Sequence, residues 1–328
     1  MINSVKTIRL LREIKRHQSV YILMLLPVAY FIVFRYLPIW NGQIAFRDFK
    51  PLLGIPEMDK QRGVFNSPWL GLAHFKNFIT GPYFGELIRN TIMYSFGKLL
   101  ISVPAAILFA VMLFECSNPK FARVVQTLAY LPHFLSWVIM YGILFTLFAP
   151  GDGIVNDAIN GLGKLFHDKG MIKEAWRPID FLRNTSTFPW IVIFSDTWKE
   201  MGWSAIIFIA ALISIDPTLF EAAMVEGASA SQRVWYITLP SIRPVIVIVV
   251  LLRLGTILDA GFHQMFMLYS PAVYEVADII DTWVYRQGLL KFEYGLASAV
   301  GLFKGVIGML LIVSSNWLVK KVSDSSLF

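Results

Sequence analysis

The chain has 328 residues, of which 56% are hydrophobic and only 16% are charged, whereas soluble globular chains carry roughly 25% charged residues. Together with a mean hydropathy of +0.60, this composition excludes a soluble globular protein and a disordered chain. The one cysteine, Cys116, excludes a disulfide scaffold. The formal charge of +7 does not indicate nucleic-acid binding, because the basic residues flank apolar segments instead of forming one patch. The composition predicts an integral membrane protein.

Six apolar segments are long enough to cross a membrane, since a spanning helix needs about 20 predominantly apolar residues. The predicted spans are Ser19–Trp40, Thr91–Phe114, Val124–Phe148, Pro189–Ser214, Val245–Phe262 and Leu296–Val319. No low-complexity stretch or soluble domain separates them. We therefore predict an all-α polytopic fold with a basic flank over residues 1–18, one membrane domain over 19–319 and a short tail over 320–328.

Basic residues set the expected orientation. The N-terminal flank contains a cluster formed by Lys6, Arg9, Arg12, Lys15 and Arg16. The apolar run that follows is too long for a signal peptide and has no small-residue cleavage site, so we expect a retained helix. Because Lys and Arg accumulate on the cytoplasmic side, and six spans return the chain to its starting side, both termini are expected in the cytoplasm.

The expected cytoplasmic loop between the fourth and fifth spans, residues 216–244, contains the most informative pattern. Asp216 followed by Pro217 is typical of a capped helix start, and Gly227 of a helix end. Pro240 is expected to end a second short helix before the next span. The pattern reads E-A-A, three residues, G, nine residues, I-x-L-P. It is formed by Glu221, Ala222, Ala223, Gly227, Ile237, Leu239 and Pro240. The plainer interpretation is an amphipathic helix at the membrane surface.

This spacing resembles the signature loop of permease subunits of binding-protein-dependent ABC importers. Four further stretches resemble the carbohydrate-import branch of that family, particularly its polysaccharide- and lipoprotein-associated subgroup, which includes the larger permease of an alginate importer. They are Trp69–Phe75, Arg89–Thr91, Tyr130–Trp137 and Asp281–Gly288. The resemblance implies that the loop docks on an ATPase subunit and transmits its movement to the membrane helices.

The same resemblance implies a set of partners and a location. We expect a second, related permease, two ATPase subunits that bind ATP and Mg, an extracytoplasmic solute-binding protein and a carbohydrate substrate, in a bacterial inner membrane. The chain itself contains no phosphate-binding Gly-rich run, no metal-ligand spacing and no nucleophile motif. It is therefore expected to be a transport subunit without enzymatic activity, cofactor or metal. Structural roles are expected for His17, His74, His133, His167 and His263.

Ionisable residues inside the predicted spans mark a candidate substrate pathway, because a charge in hydrocarbon costs several kcal/mol unless it faces protein or water. Helical spacing places two polar stripes on the fourth and fifth spans. The candidates are Asp196, Lys199, Glu200, Trp203, Arg253, Thr256 and Asp259. Aligned on the signature loop, six of them resemble the sugar-lining positions of a maltose-type permease, although most residue types differ. Asp196, Lys199, Glu200 and Trp203 correspond to one wall, and Thr256 and Asp259 to the other.

The difference in residue types favours an acidic oligosaccharide, whose carboxylates Lys199 and Arg253 can neutralise, with Trp203 as a stacking surface. Two simpler interpretations remain for the charges. They pair with one another, as Asp196–Lys199, Glu200–Lys199 and Arg253–Asp259, or they reach the membrane interface. For Lys98, in the second span, a structural or snorkelling role is expected. An ion-coupled secondary transporter and an intramembrane enzyme are the alternative functions.

Overall fold

The computed structural model describes residues 16–49, 67–168 and 178–322, without the side chains of 165–168 and 318–322. The predicted all-α fold is confirmed: within these ranges the chain is helical and contains no β-strand. Several residues used in the sequence argument lie outside the described part. They are Lys6, Arg9, Arg12, Lys15 and the side chain of His167.

The helices are named here in chain order. They are α1 (Gln18–Phe46), α2 (Ala73–Ile79), α3 (Phe84–Phe114), α4 (Pro119–Phe134), α5 (Trp137–Phe148), α6 (Ile154–Asp168), α7 (Phe188–Ile213), α8 (Pro217–Val225), α9 (Ala230–Gly255), α10 (Phe262–Leu268), α11 (Ile280–Tyr285) and α12 (Tyr294–Val322). In the described ranges α1, α3, α9 and residues Tyr294–Trp317 of α12 are long and apolar enough to cross a membrane. The number of candidate membrane spans rises from four to the predicted six if the bent helix pairs α4–α5 and α7–α8 each form one span.

The third predicted span, Val124–Phe148, is not one straight helix. The axes of α4 and α5 meet at 107°. Leu135 is extended, and the side-chain oxygen of Ser136 accepts the backbone N–H of Ile139 at 3.3 Å, so a new helix begins there. A serine N-cap satisfies a backbone donor that a continuous helix would have paired, which stabilises the break. The prediction of a single helix was wrong.

The fifth predicted span, Val245–Phe262, also has different bounds. The helix α9 starts earlier and ends at Gly255, and a 3₁₀ turn over Ile257–Asp259 follows. Ala260 and Gly261 then adopt φ angles of 46° and 83°. Two left-handed residues in succession cannot continue a right-handed helix. Thr256 and Asp259 are therefore not part of a helical stripe with Arg253, and that part of the prediction was wrong.

Pro240 does not end a helix, contrary to the prediction. It lies inside α9, directly after a π-helical turn over Val234–Thr238 in which the N–H of Leu239 bonds to the carbonyl of Val234. A proline cannot donate the usual backbone hydrogen bond. The wider turn shifts the hydrogen-bond register just before the proline, so the helix continues.

The described residues fall into two compact units. The first contains residues up to Ile79 together with Gln287–Leu302. Its residues Trp69–Phe75, which carry one of the family resemblances, close against the end of α1. The rings of Phe46 and Trp69 stack at 5.5 Å, and His74 Nε2 lies 3.1 Å from the carbonyl oxygen of Arg47.

The second unit contains Thr80–Arg286 and the C-terminal part of α12. Its centre is the packing of α3 against α7, with one apolar cluster around Tyr94, Phe188 and Met265 and another around Phe208 and Leu212. Gly202 of α7 packs directly on the backbone of α4. A Cβ at this position would lie 2.1 Å from the carbonyl oxygen of Ala129. Only glycine allows this approach, which holds α4 and α7 together.

Candidate functional site

A cavity of about 670 Å³ lies within the second unit, between α3, α7 and the end of α9. Six of the seven predicted pathway residues line it. They are Asp196, Glu200, Trp203, Arg253, Thr256 and Asp259. Further polar or aromatic lining comes from Ser95, Lys98, Trp137 and Ser204. The rest of the lining is apolar and includes Leu99, Ile206, Ile207, Val249, Leu252 and Ile257. The cavity therefore presents charged groups within a largely apolar wall, and such groups are costly among membrane helices unless they face protein or water.

Lys199, the seventh predicted residue, is not part of the cavity lining. Its side chain is buried, and its Nζ donates to the carbonyl oxygens of His133 at 2.5 Å and Pro132 at 3.4 Å. It also lies 3.7 Å from Glu200 Oε1, as one of the simpler interpretations predicted. Because the break between α4 and α5 exposes these carbonyls, Lys199 serves as their hydrogen-bond donor. Its placement on the pathway wall was wrong.

Lys98 borders the cavity instead and does not snorkel to the interface. Its Nζ lies 3.3 Å from Asp196 Oδ1 and donates to the carbonyl of Ala260 at 3.0 Å and to Gln264 Oε1 at 2.5 Å. The Asp196–Lys199 pair is therefore absent, and Lys98 takes its place. These contacts agree with the structural role expected for Lys98, and its side chain also lines the cavity. The sequence does not indicate that its partners come from α7, the turn after α9 and α10.

One wall of the cavity is formed by two stacked aromatic rings. The rings of His133 and Trp203 stack at 4.5 Å with an angle of 2° between their planes. Nδ1 of His133 lies 3.0 Å from Glu200 Oε2, which fixes the imidazole. Trp203 is 45% exposed and borders the cavity. One part of this indole surface is covered by His133, and the rest can contact a bound molecule.

Arg253 is the cavity-lining cation without a carboxylate partner among the described residues. Its guanidinium donates to Ser204 Oγ at 2.6 Å. The predicted Arg253–Asp259 pair is absent, because Lys304 Nζ lies 2.8 Å from Asp259 and 2.7 Å from Asp281. The other cavity charges are likewise paired, so Arg253 is the group with which an external anion can pair.

The loop between α7 and α9 is a rigid, capped structure. Asp216 accepts the N–H of Thr218 at 3.0 Å, and this hydrogen bond lowers the pKa of its carboxyl group. At the other end of α8, Gly227 has a φ of 80°. The N–H of Gly227 bonds to Met224 and that of Ala228 to Ala223, which is the double hydrogen bond of a Schellman motif.

The second half of the loop starts with a capping box. Ser229 Oγ accepts the N–H of Gln232, while Gln232 Oε1 accepts the N–H of Ser229. Side chains of this segment contact the membrane helices at two positions. Arg233 lies 3.9 Å from Glu115 at the end of α3, and the rings of Phe114 and Phe220 approach to 6.0 Å. These contacts connect the loop to the end of α3.

Four of the predicted loop residues, Glu221, Ala222, Ala223 and Gly227, lie on α8 or just after it, whereas Ile237, Leu239 and Pro240 lie near the start of α9. A shallow pocket between these two parts is lined by Ala223, Glu226, Gly227, Ala228, Gln232, Arg233, Tyr236 and Ile237. Apolar side chains next to it are strongly exposed: Val225 at 90% and Tyr236 at 79%. Leu239 and Val234 instead pack against the cluster around Phe208. One side of the loop is therefore buried, and the other is free for a partner.

In the described ranges, no group of three or more His, Cys, Asp or Glu side chains could hold a metal ion. Two features of the structure bear on function: a cavity with charged side chains among membrane helices, and a capped loop that contacts those helices. Together they define the class: a polytopic subunit of a membrane transport system. The chain belongs to the family of binding-protein-dependent transport system inner membrane components, which it matches over residues 90–324.

Individual relatives agree with this assignment. The chain is 36% identical to Protein LplB of Bacillus subtilis (strain 168), covering 98% of this chain and 95% of that protein. It is 37% identical to the polygalacturonan/rhamnogalacturonan transport system permease protein YteP of the same organism, covering 98% and 93%. A crystal structure of a bacterial ABC transporter involved in the import of the acidic polysaccharide alginate contains a chain of 34% identity and TM-score 0.84, with coverages of 96% and 99%.

These findings confirm the family resemblance and the inner-membrane location. A component of a binding-protein-dependent system is not an ion-coupled secondary transporter, so that alternative does not apply. The family assignment also identifies the chain as a component of a membrane transport system.

Proposed function

We propose that the chain is a permease subunit of an ABC importer that moves an acidic oligosaccharide through the charged cavity. Two similar proteins support this substrate class: one is part of an importer of the acidic polysaccharide alginate, and another is the polygalacturonan/rhamnogalacturonan permease YteP. The observation that carries the proposal is Arg253, whose guanidinium borders the cavity and has no carboxylate partner among the described residues.

The charge distribution explains why the substrate would be acidic. Asp196 is paired with Lys98, Glu200 with Lys199 and His133, and Asp259 with Lys304. A uronate carboxylate reaching Arg253 gains a charge-assisted hydrogen bond, worth about 1.5–3 kcal/mol. A neutral sugar gains less at the same position. The exposed surface of Trp203 then contributes stacking against the apolar face of a pyranose ring.

The loop between α7 and α9 supplies the coupling to energy. ATP and Mg are bound by two partner ATPase subunits, and ATP hydrolysis takes place there. Their closure moves α8 and the start of α9, which together carry Glu221, Ala222, Ala223, Gly227, Ile237, Leu239 and Pro240. The contacts of Arg233 and Phe220 with the end of α3, and of Leu239 with the core around Phe208, pass that movement to the cavity walls. The cavity thereby alternates between the two sides.

The remaining partners complete the assembly. A second, related permease shares the pathway, and an extracytoplasmic solute-binding protein delivers the substrate from outside. In this arrangement both termini and the loop lie in the cytoplasm. One solved relative, the alginate importer, was captured in complex with an alginate pentasaccharide-bound periplasmic protein, which supports delivery of this kind.

Replacing Arg253 by methionine tests the proposal. In proteoliposomes that contain the full importer and its binding protein, the apparent KM for trigalacturonate or an alginate trimer should rise about tenfold or more, because a charge-assisted hydrogen bond is lost. Basal ATPase activity should stay unchanged. Arg253→Lys, which retains the charge, should lose less. Wild-type uptake kinetics in Arg253→Met would contradict the role of this residue in substrate recognition.

A further inference from the structure

We propose that the contact between Asp259 and Lys304 is a latch that holds the end of α9 against α12 and breaks when the ATPase subunits close. This inference rests on the proposed function, because the force that breaks the latch comes from the loop between α7 and α9. It extends that function, since the contacts of the loop explain how movement enters the helices but not which contact that movement has to break.

The latch belongs to a network in which two carboxylates share one ammonium group. Lys304 Nζ donates to Asp281 Oδ1 at 2.9 Å, to Asp281 Oδ2 at 2.7 Å and to Asp259 Oδ1 at 2.8 Å. An ammonium group has three donors, so all of them are used. Lys304 lies on α12, Asp281 on α11 and Asp259 in the turn after α9. Three elements that are separate in the chain therefore meet at one positive charge.

The two carboxylates are held unequally. Asp281 meets the ammonium group with both oxygens, and its side chain is 23% exposed. Asp259 uses one oxygen, borders the cavity, and has a side chain that is 64% exposed. Exposed ion pairs contribute little to stability, because water competes for both charges. The contact of Lys304 with Asp259 is therefore the weaker of the two.

Release of Asp259 leaves no buried charge without a partner. The side chain of Lys304 is only 17% exposed, and a buried ammonium group that loses its sole carboxylate is strongly destabilising. Here the network contains two negative charges and one positive charge, so the Lys304–Asp281 pair is balanced by itself. The released carboxylate of Asp259 remains at the cavity, where it can be hydrated. The network can thus open at one contact and stay closed at the other.

Asp259 moves with α9, which extends from the loop to the cavity. The N–H of Thr256 bonds to the carbonyl of Arg253 at 3.2 Å, and the N–H of Asp259 bonds to the carbonyl of Thr256 at 3.0 Å. These bonds fasten the turn to the end of the helix. Directly afterwards, Ala260 and Gly261 adopt left-handed φ angles, which separate α9 from α10. A displacement of the loop is therefore carried along α9 to the latch.

The other side of the latch is fixed independently of α9. The N–H of Ile280 donates to Thr91 Oγ1 at 3.1 Å, which fastens the start of α11 to α3. Asp281, the next residue, then holds α12 through Lys304. The Asp259–Lys304 contact is thus where α9 meets a separately anchored pair of helices.

Two matched substitutions should have opposite effects. Asp259→Asn weakens the latch and keeps the Lys304–Asp281 pair, whereas Asp281→Asn leaves Asp259 as the carboxylate partner of Lys304 in this network. Each variant retains one ion pair, so both should insert into the membrane. In proteoliposomes with the full importer but without binding protein or sugar, basal ATPase activity should rise about two- to fivefold in Asp259→Asn. It should fall by a similar factor in Asp281→Asn. Because no sugar is present, contacts of Asp259 with substrate do not affect the result.

The opposite signs distinguish a latch from a purely structural network, whose loss would change both variants in the same direction. The latch is overturned if Asp259→Asn does not raise the basal ATPase activity or if Asp281→Asn does not lower it. Arg253→Met, assayed for trigalacturonate uptake with the binding protein present, tests the proposed function separately. If that variant is impaired as expected while Asp259→Asn hydrolyses ATP at the wild-type rate, only the latch falls. If Arg253→Met takes up trigalacturonate like wild type, the proposed function falls.

Discussion

Replacing Gly227 by alanine is expected to reduce ATP-driven uptake about tenfold or more while the protein still inserts into the membrane. Gly227 has a φ of 80°, a conformation that costs an L-residue about 1–2 kcal/mol. The Schellman hydrogen bonds at the end of α8 depend on this conformation. A side chain there meets no neighbouring atom within 4 Å, so the effect acts through the backbone of the loop and not through a clash.

The measurement is uptake and ATPase activity of the reconstituted importer, side by side. We expect the ratio of substrate transported to ATP hydrolysed to fall, because the loop no longer presents its fixed shape to the ATPase. Gly161→Ala on α6 is the control, since that glycine also has open space around it but has no left-handed φ. Wild-type uptake in Gly227→Ala would argue against a coupling role of the loop.

Replacing Gly202 by alanine is expected to give the largest loss of stability. The new Cβ would lie 2.1 Å from the carbonyl oxygen of Ala129 and 2.5 Å from its carbonyl carbon, so α4 and α7 must move apart. Overpacking of this kind costs typically about 1–3 kcal/mol, and here a backbone must shift. Because His133 and Trp203 lie close to this contact, the stacked wall of the cavity should also be disturbed.

Thermal unfolding of the purified protein in detergent measures this effect. The Tm of Gly202→Ala should fall by several degrees relative to wild type. Gly97→Ala is the matched control, because its Cβ would meet the terminal methyl of Ile193, the flexible end of a side chain, at 2.7 Å. An equal Tm for the two variants would show that the approach of α4 to α7 is not tight.

The fold and the loop could be predicted from local signals. Apolar runs of sufficient length define the spans, and the caps at Asp216 and Gly227 depend on residues next to them in the chain. Helical spacing within α7 predicted that Asp196, Glu200 and Trp203 share a face, and all three line the cavity. The same spacing included Lys199, which does not line it. The loop pattern also identified the family before any contact was known, since its spacing alone is specific.

The partners of the charges could not be predicted, because they depend on tertiary packing. Lys199 does not line the cavity because its ammonium binds carbonyl oxygens that the break between α4 and α5 leaves unpaired. Lys98 on α3 forms an ion pair with Asp196 on α7. Hydropathy extends the fifth span to Phe262 because the turn after Gly255 is as apolar as a helix. Only the φ angles of Ala260 and Gly261 reveal the break.

The central claim is that the protruding loop meets a cytoplasmic ATPase and passes its movement to the cavity. Site-specific crosslinking tests it most directly, in a Cys116→Ser background that removes the native thiol. A cysteine introduced by Ala222→Cys should crosslink to the ATPase subunit and resist impermeant maleimide added from outside. Gly161→Cys on α6 should show the opposite pattern. Labelling of Ala222→Cys from outside, without a crosslink to the ATPase, would contradict the account.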